Sequence, residues 1–431
     1  MMNTKQYGGG ASAARRGFVV LALLLCSAAV RAETFRIELD YMVDGAPGGH
    51  SHQPAAQVLQ AVVQMFACQG HTLIIDVSDA ITHHDVLRLD NVNWTFFDYD
   101  GPADSFGALK NEWYDHAGVA GWHYCIFAHQ YEWVDDLGNL FPSGSSGLAE
   151  LGGDDLTVTL GTFIHENEPV GSPFEQAATL AHEFGHNLGL THCGSLDCGR
   201  DTTTPDYVGP FVPNLPSIMT YMYQLQGVRT NLICQGLSPE FIPFKDLDYS
   251  HGTMCSLDEH GLVEPWGTML RGVDWNCNGV IYGNHQENLS GGDESGWCAA
   301  FWGPETVLDD YDEWANITDA TKTRSAAQLK NLPVEPCVTS DQLRRNADKA
   351  VCDRPTLSVE SCLTGETRYV KSDGSPGGRG SCEDPLDGIR GAVAGAPDGT
   401  AVIIEPGVWR EGPLLIREKV FLQAPYSAVI R

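Results

Sequence analysis

Residues 182–192 read His182-Glu183-Phe184-Gly185-His186-Asn187-Leu188-Gly189-Leu190-Thr191-His192. His182 and His186 are four apart, so on a helix both imidazoles project from one face and can share one zinc ion. Glu183, beside the first ligand, can reach a water on the metal. Gly189 follows His186 by three residues. Glycine tolerates the left-handed conformation that ends a helix and turns the chain sharply. Such a turn brings His192 back as a third nitrogen. Three protein ligands plus a water is the pattern of a catalytic zinc site, whereas a structural site fills all four positions with protein.

Downstream the chain reads Pro216-Ser217-Ile218-Met219-Thr220-Tyr221. HExxHxxGxxH followed by a methionine-bearing turn resembles the metzincin metallopeptidases. The resemblance implies an α+β catalytic domain, with a twisted mixed sheet above an active-site helix and a lower subdomain after the third histidine. It implies that Met219 lies beneath the ligands. It also makes Tyr221, two residues later, a candidate fifth ligand or oxyanion donor, with a packed aromatic as the alternative. In such a domain the cleft lies between the sheet edge and the active-site helix, and a substrate would add as an extended strand. The residue after the third histidine is Cys193, not the Asp, Glu, Ser or Pro of the familiar branches, and the branch is left unassigned.

The 431 residues suffice for two or three domains. The chain opens as an export signal. Lys5, Arg15 and Arg16 precede an apolar run over residues 18–29, and Val30-Arg31-Ala32 offers a small-residue cleavage site. The first predicted strand begins almost at that site, which leaves no room for a large pro-domain. No second long apolar run follows, so no membrane insertion is expected. Of 13 cysteines, Cys26 leaves with the signal, and the even dozen left in an exported chain implies disulfides. The formal charge is −30, and loss of Lys5, Arg15, Arg16 and Arg31 makes it four units more negative. Such a chain repels nucleic acid and anionic membranes.

Periodicity predicts a strand over residues 34–41, a helix over 54–68, a buried strand over 71–77, and further strands within 122–133 and 155–160. Pro173 is well placed to start the helix that carries the histidines. His83-His84 falls in a predicted loop, and its spacing fits no metal site. His165-Glu166 reads as a loop pair before the active-site helix. The protease-like unit is expected over residues 33–270, after a signal over 1–32. An acidic extension over 271–335 contains Asp274, Asn276 and Asn278 before Gly279, similar to the opening of a calcium loop, although His285 stands where a bidentate Glu would close it. Asp309, Asp310, Asp312 and Glu313 are either further oxygen ligands or a solvated patch. Residues 336–431 read as a Cys-rich connector and a β-rich tail. Its short strands resemble coils of a pectin-lyase-like parallel β-helix, suited to surface or polysaccharide contact.

These features predict a secreted zinc endopeptidase acting on protein or peptide substrates. His182, His186 and His192 hold Zn2+, Glu183 is the general base, and Ca2+ is a second candidate ion. The rival reading is an extracellular adhesion or carbohydrate-binding protein with a vestigial zinc site.

Overall fold

A computed structural model describes residues 32–89, 97–98, 101–134, 140–194, 210, 212–228, 247–252, 254, 256–263, 284–286, 307–330, 332–336, 367–375, 377–379, 385–394, 396, 401–404, 408–410, 421–423 and 429–430. All lie in one compact unit, Ala32–Arg431. The leader before residue 32, the calcium-like Asp274, Asn276 and Asn278, and Cys198 fall outside the described residues.

The centre is a six-stranded mixed sheet. Its strands are β1 (Thr34–Val43), β2 (Thr72–Thr82), β3 (His123–Ala128), β4 (Gly147–Glu150), β5 (Asp155–Thr159) and β6 (Val334–Pro336), in the order β6-β4-β5-β3-β1-β2. β2, β1, β3 and β5 run parallel, while β4 pairs antiparallel with β5, and β6 antiparallel with β4. The alternation of β3 shows how both faces are buried. Cys125 and Phe127 join one core, and Tyr124, Ile126 and Ala128 join the other. A strand covered on both faces reads as a continuous apolar run, which is why this segment was legible.

Two helices cover the first face. Helix α1 (Ala56–Cys68) buries Val58, Ala61, Val62, Met65 and Phe66, a stripe at helical spacing. Helix α3 (Pro173–Asn187) starts with Pro173 behind Ser172. The Ser172 hydroxyl accepts from Glu175 N, and Glu175 accepts from Ser172 N, so two end donors are satisfied reciprocally. The second face is covered by α2 (Phe106–Trp113), whose Phe106 and Leu109 pack on Tyr124 and Ile126. Sequence periodicity missed α2, β4 and β6, each eight residues or fewer.

Two groups of buried carboxylates have partners close at hand. Tyr124 Oη donates to Asp40 at 2.7 Å and Asp79 N at 2.8 Å, and burial pushes the Asp40 carboxyl up to about 6. The oxygens of Glu150, Asp154 and Asp155 lie close enough to share an ion, but Lys110 Nζ already stands 2.5 Å from Asp155 and 3.3 Å from Asp154.

Of the acids expected as calcium ligands or a solvated patch, Asp309 and Asp312 are exposed, as a solvated patch would be, whereas Asp310 and Glu313 are drawn into the fold. Asp310 accepts from Ser250 Oγ and Met254 N, Asp312 caps a short helix at Ala315 N, and Glu313 is buried and accepts from Ser250 N. Trp314 enters the main core, and Thr318 N donates to Leu188 O. Residues 307–336 thus pack with the helix and sheet that precede residue 270. The cysteine expectation also needs one correction: Cys68 and Cys193 are disulfide-bonded, but Cys125 is a free thiol buried in the central sheet. In the tail, Thr367–Ser375, Ala401–Ile404 and Phe421–Gln423 pair in parallel, as do Val408–Trp409 and Val429–Ile430. Among the described residues no helix is long and apolar enough to cross a membrane.

Burial raises the Glu313 carboxyl to about 8. The folded chain therefore keeps a proton that an unfolded glutamate releases near 4.5. Glu313 thus subtracts from stability progressively as pH rises from about 4.5 to about 8. Glu313→Gln keeps the acceptor oxygen and removes the titration. Its melting temperature, relative to wild type, is expected to improve steadily between pH 5 and 9. A difference independent of pH would show that Glu313 is ionised throughout.

Candidate metal centre

The helix-end chemistry of α3 delivers the three histidines. Leu188 follows the last helical residue, and Gly189 adopts φ +89°, which a side-chain-bearing residue rarely does. Leu190 N donates to Gly185 O, and Gly189 N to His186 O at 2.9 Å. These two bonds are the Schellman pattern that terminates a helix with a reversal. The reversal carries His192 back over the face from which His182 and His186 project. The Nε2 atoms of the three rings form a triangle with sides of 3.0, 3.1 and 3.2 Å.

Hydrogen bonding decides what those nitrogens can do. His182 Nδ1 donates to Ile218 O at 2.7 Å, and His186 Nδ1 donates to Leu190 O at 2.8 Å. With Nδ1–H spent, each neutral ring presents a lone pair at Nε2. Burial and the facing His186 ring push both His182 and His192 well below the ordinary histidine range, so they are neutral. Two lone pairs 3.0 Å apart repel unless a cation lies between them. Tetrahedral ligands about 2.0–2.1 Å from an ion stand about 3.3–3.4 Å from one another. The triangle fits a metal ion, and the carbonyl partners are of the kind that orient ligating imidazoles.

The expected Met219 is buried where Gly185 permits it. A Cβ at position 185 would overlap the Met219 sulfur and come within 3.1 Å of Tyr249 Oη. Glycine inside a helix costs roughly 0.5–1 kcal/mol relative to alanine, and here it lets the thioether pack directly between the two ligand-bearing positions. The same turn supplies the Ile218 carbonyl that orients His182. Tyr221 is half-buried, its ring 4.6 Å from that of His192, centroid to centroid.

Glu183 is fully buried, and its carboxylate lies against β4. A Cβ at Gly147 would overlap its Oε1 and fall 2.9 Å from its Cδ. Gly147 was not singled out from sequence, and a glycine that opens a four-residue strand gives little signal. Asn187 was also missed. Its Nδ2 donates to Glu150 O and Asp155 O, and its Oδ1 pairs with His123 Nδ1 at 3.0 Å. Gly152 N donates to His186 O. The last turn of α3 is thereby fixed against β3, β4 and β5. His165 pairs with Glu168 across a turn in which Glu166 and Asn167 have positive φ.

The sheet does not end in a bare β4. β6 covers part of β4, with Val334 opposite Glu150 and Pro336 opposite Leu148. Gly147, beside Glu183, lies beyond that pairing. Comparison with known protein families and with curated proteins finds no match for this chain.

A divalent metal is expected to bind this trio, and His186→Ala should weaken it by more than the ~10–100-fold that loss of an outer hydrogen-bond partner costs. Competition with a chromophoric chelator measures this directly. Equal affinity in the variant would rule out the three-imidazole site.

Proposed function

We propose that this chain is a zinc-dependent endopeptidase with a metzincin-like catalytic unit. The observation that carries the reading is the convergence of three Nε2 lone pairs, with Nδ1 of His182 and His186 held by carbonyls. Three neutral imidazoles are a donor set that suits zinc, and three protein ligands leave a position for water or substrate. When bound, such an ion acidifies a water and polarises a scissile carbonyl.

The chain's own residues supply the remaining steps. Glu183 follows the first ligand on the same helix and is enclosed by the Gly147 backbone. It takes the proton of the attacking water and delivers it to the leaving amine, as a general base and then a general acid. Tyr221, whose ring packs on His192, donates to the oxyanion in this reading. Met219 gives the ligands a packed floor. The substrate runs as an extended strand along β4 on the Gly147 side, because β6 occupies the other portion of that edge. An export leader and a protein or peptide substrate outside the cell complete the reading. The adhesion alternative rests on the parallel tail strands and would leave Glu183 without a task.

Cleavage of a mixed peptide library, read by mass spectrometry, tests the proposal. Internal cuts are expected from the metal-loaded wild type. Glu183→Gln should keep the metal and lose about 10²–10⁴-fold in turnover. Gly147→Ala, which pushes a methyl into the Glu183 carboxylate, should also lose turnover with its metal intact. Cuts that persist undiminished in Glu183→Gln would end the assignment of the base.

A further inference from the structure

Away from the α3 trio, four more histidines meet. His50 and His52 lie in the segment after β1, His83 just past the end of β2, and His129 just past the end of β3. One ligand nitrogen from each lies within 4.8 Å of the other three. All four follow the carboxyl ends of parallel strands, whereas Asn187 holds the last turn of α3 near their amino ends, at His123 and Asp155. The two clusters are therefore separate.

Local structure explains each contribution. Ser51 bridges to Val43, Asp44 N donates to His50 O, and His52 N donates to Met42 O. The chain is extended there, so residues 50 and 52 point to the same side. His83 N donates to Val43 O, which brings the end of β2 to the same place. Gly161 N donates to His129 O, and a Cβ at Gly161 would stand 2.7 Å from two atoms of the His129 ring. The glycine leaves the space that the imidazole occupies.

The nitrogens do not form a workable hydrogen-bond network. His50 Nε2 lies 3.1 Å from His52 Nε2 and 3.1 Å from His129 Nδ1, and those two are 3.3 Å apart. A ring nitrogen either carries a hydrogen or presents a lone pair, never both. In a triangle of three such atoms at least one edge must join two lone pairs or two N–H groups. His83 Nε2 is buried and makes no hydrogen bond, while its Nδ1 faces Asp85 at 3.8 Å. A cation that accepts all four lone pairs removes both defects. The separations approach the about 3.3–3.4 Å of tetrahedral nitrogens around zinc.

We propose that His50, His52, His83 and His129 form a second metal site that binds one zinc ion through four imidazoles. Four nitrogens disfavour calcium and magnesium, which take oxygen ligands. Four protein ligands fill a tetrahedron, so this site is structural. It fastens the segment after β1 to the ends of β2 and β3. His83, whose spacing fits no site, is a ligand because the parallel strands end side by side.

The test uses the full chain loaded with zinc and dialysed free of excess. Two zinc ions per chain are expected by elemental analysis, and one after His50→Ala combined with His129→Ala, with a lower melting temperature. An unchanged zinc content in that double variant overturns the proposal. His186→Ala tests it without touching the four histidines. This variant should retain one zinc, with X-ray absorption showing four imidazole nitrogens at about 2.0 Å and no sulfur. No retained zinc, or fewer than four imidazoles, overturns the proposal. Failure of the α3 trio alone reads differently, since His186→Ala would then leave the wild-type content unchanged.

Discussion

The side-chain amide of Asn187 joins the helix that bears His182 and His186 to the central sheet. Its two N–H groups reach carbonyls at Glu150 and Asp155, and its oxygen meets the buried ring of His123. His123 in turn lies 3.4 Å from Asp319, a carboxylate held below its ordinary range. Burial opposes that shift, and hydrogen bonding and charge from His123, with Thr321 and Lys322, outweigh it. Most buried polar groups are hydrogen-bonded, and an unpaired one costs stability. This chain of partners runs from the ligand helix through three strands to residue 319. The same last turns of α3 bring Glu183 against Gly147 of β4.

The packing around α3 follows the same logic of close approach. Gly185 and Gly147 are two places where the absence of a side chain is used. One admits the Met219 sulfur between the ligand-bearing turns, and the other admits the Glu183 carboxylate to the sheet edge. Both lie against groups to which the proposed chemistry gives a role. Tyr249 adds a third restraint by donating to Ala181 O, inside the same helix. A helix whose carbonyls and backbone are gripped on several sides keeps ligand nitrogens near one geometry whether or not an ion is present.

Much of this was readable from sequence because it is local. The spacing of His182, His186, Gly189 and His192 encodes a helix, its end and its reversal within eleven residues. The apolar stripe of α1, the continuous apolar run of β3 and the alternation of β5 were equally plain. β4 and β6 were not, since strands of four and three residues carry almost no periodic signal. Their pairing joins positions near 149 and 335. The inward role of Asp310 and Glu313 was not legible, because composition does not say that Ser250 and Met254 lie against them. The four-histidine cluster was hidden for the same reason. Its members are scattered along the chain, and only the parallel ordering of β2, β1 and β3 puts them together.

The two histidine clusters also differ in the length of chain they close. His182 and His192 are ten residues apart, whereas His50 and His129 are 79 apart. The entropy lost on closing a loop grows with its length, and contacts between distant segments come late in folding. The trio needs little more than one helix and the turn after it, so it can gather while the chain is still largely unformed. The quartet exists only once three parallel strands have found their order. An ion held by the trio marks a local event, and one held by the quartet marks a finished sheet.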